Sequence, residues 1–165
     1  SVCAICGYAQ EPGQSLPPWT EGTLDLHHIN TGRGDAAFYI LPDGTTFLLD
    51  AGEMPPDNSP RRTQLHPDDS RPAHEWIALY IRKFMPAISA GKLDYALITH
   101  FHNDHFGGYY PGAPMSKTGQ YFRSGITGVG DELPIGTMID RGFLPFAAPT
   151  ARTALAEPSL LAISR

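Results

Sequence analysis

Three of the chain's seven histidines and one aspartate fall within six positions, His100-Phe101-His102-Asn103-Asp104-His105, and Phe106-Gly107-Gly108 follows. In an extended segment, residues two apart share a side, so His100, His102 and Asp104 should project together. A turn at Asp104, eased by the glycine pair, would bring His105 to the same place. Neutral imidazole and carboxylate are ligands for Zn²⁺, Mn²⁺ and Fe²⁺. Four such groups are more than one open catalytic ion takes, and they make a start on two ions sharing a pocket. The plain alternative is a solvated loop whose histidines pair with nearby carboxylates. Three imidazoles and an aspartate at this spacing, after an apolar strand, favour metal over that reading.

Elements that could carry this cluster are visible upstream. Leu93–Thr99 is apolar enough for a buried strand and runs straight into His100. Before it, Ser70, Pro72 and Glu75 suit the start of a helix, as cap, first turn and favourable N-terminal charge. Trp76, Ile77, Tyr80, Ile81 and Phe84 then form one apolar stripe, and Pro86 limits its length. Ala36–Leu41 and Thr45–Asp50 are apolar runs around Pro42-Asp43-Gly44, the pattern of a β-hairpin buried on most of its surface. Leu24, Leu26 and His28 alternate with Asp25 and His27, as in a short strand. Ala51 to Arg71 is a long Pro- and Asp-rich loop, and loops of that length tend to be functional. Ile139-Asp140-Arg141-Gly142 looks like a strand end. Strands and a helix in this order imply a layered sheet-and-helix domain.

The 165 residues suffice for about one domain. With 12 Lys+Arg against 17 Asp+Glu, the formal charge is −5, which argues against a strong nucleic-acid-binding surface. No apolar run approaches the ~20 residues of a membrane span. Both cysteines lie in Cys3-Ala4-Ile5-Cys6, with no second pair to complete a thiolate metal site. Ser1–Ala9 is uncharged, apolar and ends in small residues, like the tail of a secretory signal. Residues 1–20 are therefore read as a signal remnant and linker, with a secreted or periplasmic location, and residues 21–165 as the domain that carries the histidine cluster.

Thr99–Gly108 resembles the H-x-H-x-D-H signature of metallo-β-lactamase-fold hydrolases. His28-Ile-Asn-Thr-Gly-Arg-Gly-Asp-Ala36 is similar to the glycine-rich turn of one branch of that superfamily. Phe47-Leu-Leu-Asp-Ala-Gly52 is similar to its strand-end Asp-x-Gly. That branch includes the extracellular domain of DNA-uptake competence proteins. The resemblance runs from about Leu24 to Arg141 and implies an α+β fold, the αββα sandwich of the metallo-β-lactamase type.

It also implies roles. His100 and His102 would bind a first divalent ion, and Asp104 and His105 a second, Zn²⁺ foremost with Mn²⁺ or Fe²⁺ as alternatives. Asp104 would in addition steer the reactive water. Asp50 would sit behind the ligands and orient one by hydrogen bonding. Gly34 and Asp35 would belong to the glycine-rich turn, glycine permitting positive φ and aspartate bonding nearby amides. The family draws further ligands from its C-terminal half, yet no histidine follows His105. The expectation is thus an N-terminal part of a longer domain, truncated on its C-terminal side. Metal-activated water would hydrolyse a phosphoester or other small-molecule substrate. Acyl hydrolysis of a lactam, lactone or thioester, or a non-catalytic binding module, are the alternatives.

Overall fold

The protein was analysed as a computed structural model that describes residues 15–55 and 63–142. Five strands form one mixed sheet in the order β1-β2-β3-β4-β5: Asp25–His28, Ala37–Ile40, Thr46–Leu49, Leu93–Leu97 and Ile135–Ile139. The first three pair antiparallel, and β3, β4 and β5 run parallel. The β2–β3 hairpin closes where expected. Leu41 N–H donates to the Thr45 carbonyl at 2.9 Å, Gly44 takes φ 85°, and Asp43 Oδ1 accepts from Thr45 N–H at 3.0 Å.

Register divides the sheet into two unlike faces. One row, His27–Phe38–Leu48–Ala96–Met138, lies under the helices. The helix α1, Ala73–Phe84, sets Ile77, Ala78 and Ile81 on Phe38, Ile40, Leu48 and Ala96, and α3, Ile126–Glu132, adds Ile126 and Val129 to the same core. Each large side chain fully buried there contributes about 1.5–3 kcal/mol. The next row, Leu26–Tyr39–Phe47–Tyr95–Thr137, faces away, with ring centroids 6.1 Å apart for Tyr39–Phe47 and 6.5 Å for Phe47–Tyr95.

The hairpin is buried on most of its surface, fully on the face under the helices and partly on the other. Several other expectations change. In β1, His27 is the buried residue, 8% exposed, whereas Leu26 is 59% exposed. The pairing partner Phe38 sets this, because residues opposite each other share a face. Helix α1 starts after Pro72 with no side-chain cap, so Ser70 does not cap it. Its buried stripe is Ala73, His74, Ile77, Ala78 and Ile81, turned away from Trp76, whose indole N–H donates to the Asp68 carbonyl at 3.0 Å. The arrangement is α+β, with one sheet and one helical layer among the described residues rather than the two of each in an αββα sandwich. The Cys3/Cys6 pair, most of the proposed signal remnant and the region after Gly142 lie outside the described residues. No described helix is long and apolar enough to cross a membrane.

Candidate metal centre

Parallel strands β3 and β4 end side by side, and the residues that follow them build the site. Asp50, just past β3, donates its N–H to the Leu97 carbonyl at 2.8 Å and takes φ 56°. That left-handed conformation costs a non-glycine residue on the order of 1 kcal/mol. The buried Asp50 side chain explains why it is tolerated. Its carboxylate accepts from Thr99 N–H at 2.8 Å, Thr99 Oγ1–H at 2.8 Å and His105 Nδ1 at 2.9 Å.

Beyond Thr99 the chain is extended only through His102. Asn103–Phe106 forms a single helical turn, α2, with His102 at its N-cap. The period-two expectation therefore holds for His100 and His102 and breaks at Asp104. It is the helical turn, starting one residue before Asp104, that returns His105 to the cluster. The His100 ring lies 4.6 Å from that of His102 and 4.0 Å from that of His105, centroid to centroid.

Hydrogen bonding sets which nitrogens are free. Asp50 can only accept, so His105 Nδ1 carries the hydrogen and Nε2 keeps its lone pair. Thr99 spends its hydroxyl hydrogen on Asp50, so the 3.0 Å contact to His100 Nδ1 is donated by the imidazole. His100 Nε2 is then also a lone pair, and it faces His102 Nδ1 at 3.1 Å. Two nitrogens bound tetrahedrally at 2.0–2.1 Å to one ion would lie roughly 3.3 Å apart. The pair thus sits at a separation that one ion would span with little movement.

Backbone contacts fix the turn. Carbonyls of Asn103, Asp104 and His105 accept from the N–H groups of Glu53 at 3.1 Å, Asp35 at 2.7 Å and Ala51 at 2.8 Å. Gly52 has to be glycine, since a Cβ there would lie 2.0 Å from the Asp104 carbonyl oxygen, and at Gly34 the corresponding distance is 2.8 Å. Asp35 holds the turn through its backbone, while its exposed carboxylate stays 3.9 Å from His105 Nδ1. No hydrogen bond or ion pair engages the Asp104 carboxylate among the described residues. The donors therefore fit a divalent cation in type and, for His100 and His102, in spacing. Among the described residues, no three His, Cys, Asp or Glu side chains form a ready cage.

A second polar cluster, with no signal in the sequence, braces the first. Glu53, only 2% exposed, accepts from His74 N–H at 2.9 Å, His74 Nδ1 at 2.7 Å, Gly125 N–H at 3.1 Å and Tyr110 O–H at 3.1 Å. Burial works to raise its pKa, but these hydrogen bonds and the His74 charge outweigh it and hold the carboxyl below its ordinary value. Burial first, then the charge and hydrogen bond of Glu53, push the Tyr110 phenol up. Because Glu53 follows Asp50 by three residues, this knot ties the end of β3 to α1 and α3.

No curated protein and no solved structure matches the chain. Over residues 30–110, from the glycine-rich turn through β2, β3, α1 and β4 to the histidine cluster, the chain matches the family described as the metallo-beta-lactamase superfamily.

Proposed function

We propose that the chain carries the metal-binding part of a metallo-β-lactamase-superfamily hydrolase acting on a phosphoester. Members of that superfamily are mostly hydrolases that bind divalent metals, often zinc. The observation that carries the reading is the pairing of His100 Nε2 with His102 Nδ1 at 3.1 Å, beside His105 and backed by Asp50. His100 and His102 would hold one ion, and Asp104 and His105 a second. Bound divalent ions lower the pKa of water to about 7 and polarise the substrate oxygen under attack.

The chain's own contribution is orientation. Asp50 and Thr99 hold the Nδ1 hydrogens of His100 and His105, so both rings present Nε2 lone pairs without rearrangement. His102 must move its hydrogen from Nδ1 to Nε2 before Nδ1 can act as a ligand, a small and solvent-assisted change on an exposed ring. Asp104, with no partner for its carboxylate among the described residues, offers that group to a cation and to a proton of the attacking water.

The test is a substrate panel on the protein supplied with Zn²⁺ or Mn²⁺: bis-p-nitrophenyl phosphate, a chromogenic lactam and a lactone. Hydrolysis of the phosphodiester, abolished in His102→Ala and Asp104→Ala, supports the reading. Turnover of the lactam or lactone alone would replace it with acyl hydrolysis. Failure of Zn²⁺ or Mn²⁺ to bind at all would end both.

A further inference from the structure

A cavity of about 350 Å³ is walled by the turn 31–33, residues 53–54, the approach to α1, and Tyr110, Gly112 and Pro114. It does not include the histidines. We propose that it binds the carboxylate or phosphate end of a small ligand, with Arg33 and Thr31 as the recognising groups.

Most of the acidic groups on the wall are already satisfied. Glu53 is saturated by the four donors described above. Glu75 pairs with Arg71 at 3.0 Å, and Asp69 accepts from Leu65 N–H at 3.1 Å. The N-terminus of α1 also opens here, but its His74 N–H is taken by Glu53, so the helix end offers little to a ligand. Two donors remain. The Arg33 guanidinium, exposed on the wall, engages no partner among the described residues. Thr31, 4% exposed, buries a hydroxyl with no hydrogen-bond partner. Guanidinium has donors and no acceptor, and a threonine hydroxyl adds one more, which together match the lone pairs of an oxyanion. A buried hydroxyl left unpaired is costly, and because Thr31 Oγ1 is enclosed, it meets a ligand only once the side chain rotates about χ1 toward the cavity.

The two groups sit on a held turn. Asn30 Oδ1 accepts from Gly32 N–H at 2.8 Å, and Gly32, at φ 81°, fits so closely that a Cβ would lie 2.9 Å from both the Leu65 side chain and the Thr63 carbonyl. At about 350 Å³ the cavity lies at the small end of the roughly 300–1,000 Å³ typical of ligand sites. It suits a small molecule rather than a polymer. Arg33 and Asp35 flank Gly34, and the Asp35 carboxylate lies 3.9 Å from His105 Nδ1.

Titration with inorganic phosphate and, separately, succinate tests this in the presence of a chelator, so that metal binding plays no part. Calorimetry gives the affinity and backbone amide NMR locates the site. Expected are saturable binding of at least one anion, shifts at residues 31–33, 110 and 112, and a weakening of about tenfold or more in Arg33→Gln. The stronger of the two anions names the oxyanion. Arg33 is exposed, so its replacement should leave the melting temperature unchanged. An affinity unaltered by Arg33→Gln, shifts confined to His100–His105, or no saturable binding of either anion would each overturn the proposal. A metal centre that proved inactive would leave these results untouched.

Discussion

Replacing Glu53 with Ala should be among the most damaging single changes in the protein. It strips four donors of their acceptor at once: His74 N–H, His74 Nδ1–H, Gly125 N–H and Tyr110 O–H. Tyr110 lines the cavity and can turn its hydroxyl to water. The other three stay enclosed. Orphaning a buried donor costs about 1–3 kcal/mol, and removing one member of a buried charged pair typically costs about 3–5 kcal/mol in all. Because the donors share one acceptor their losses do not add, so about 3–5 kcal/mol is expected. That approaches the whole stability of a domain this size, about 5–15 kcal/mol. Equilibrium urea unfolding would measure it, with Glu53→Gln beside it, since the amide keeps the shape and one acceptor and should lose less. The pH dependence gives a second reading. The folded pKa of Glu53 lies below its unfolded value of 4.5, so its contribution is complete above that pH and is lost as pH falls through the folded value. Glu53→Gln should lack that part of the acid destabilisation. A loss below about 1 kcal/mol in Glu53→Ala would refute the buried network and its bracing of the site.

Other expectations follow from the same contacts. His27 packs against Phe38, Tyr80 and Phe84, and burial, opposed by the charge of Asp25, lowers its pKa. The neutral ring's contribution is therefore complete above 6.5 and declines as pH falls below it; His27→Phe should narrow the stability difference between about pH 5 and pH 7.5 in thermal melts. Gly52→Ala must displace the Asp104 backbone, and should weaken Zn²⁺ binding, read by calorimetry, more than it lowers the melting temperature. Asp50→Asn exchanges an acceptor for a donor facing His105 and should cost about 10–100-fold in Zn²⁺ affinity, the usual effect of losing a group that orients a ligand. Burial, then the hydrogen bond and charge of Asp131, push the Tyr121 phenol up to about 12 despite Arg123, so ultraviolet titration should show equal numbers of tyrosines ionising near pH 10 in the wild type and in Tyr121→Phe, and one more in the wild type only as the pH approaches 12.

The histidine cluster was legible in the linear chain because its donors lie within six residues of one another, and local spacing is what a sequence displays directly. The β2–β3 hairpin was equally plain, since Pro42-Asp43-Gly44 carries its own turn chemistry between two apolar runs. Asp50 was placed behind the ligands by resemblance; in the fold its carboxylate accepts from Thr99 and His105. Other features depended on pairings between distant segments. Alternation in β1 marked a strand, but which side faced inward was settled by register: His27 lies opposite Phe38 under the helices, and Leu26 opposite Tyr39 on the exposed side. Helix α3, with glycines at 128 and 130, has too weak a periodicity to announce itself, and it forms because Ile126 and Val129 complete the core. Glu53, His74 and Tyr110 are scattered across 58 residues and share no motif. A local pattern determined what chemistry this chain could attempt. Only tertiary packing decided which carboxylate would be buried, braced and surrounded by donors, because burial is a property of the assembled layers and not of neighbours along the chain.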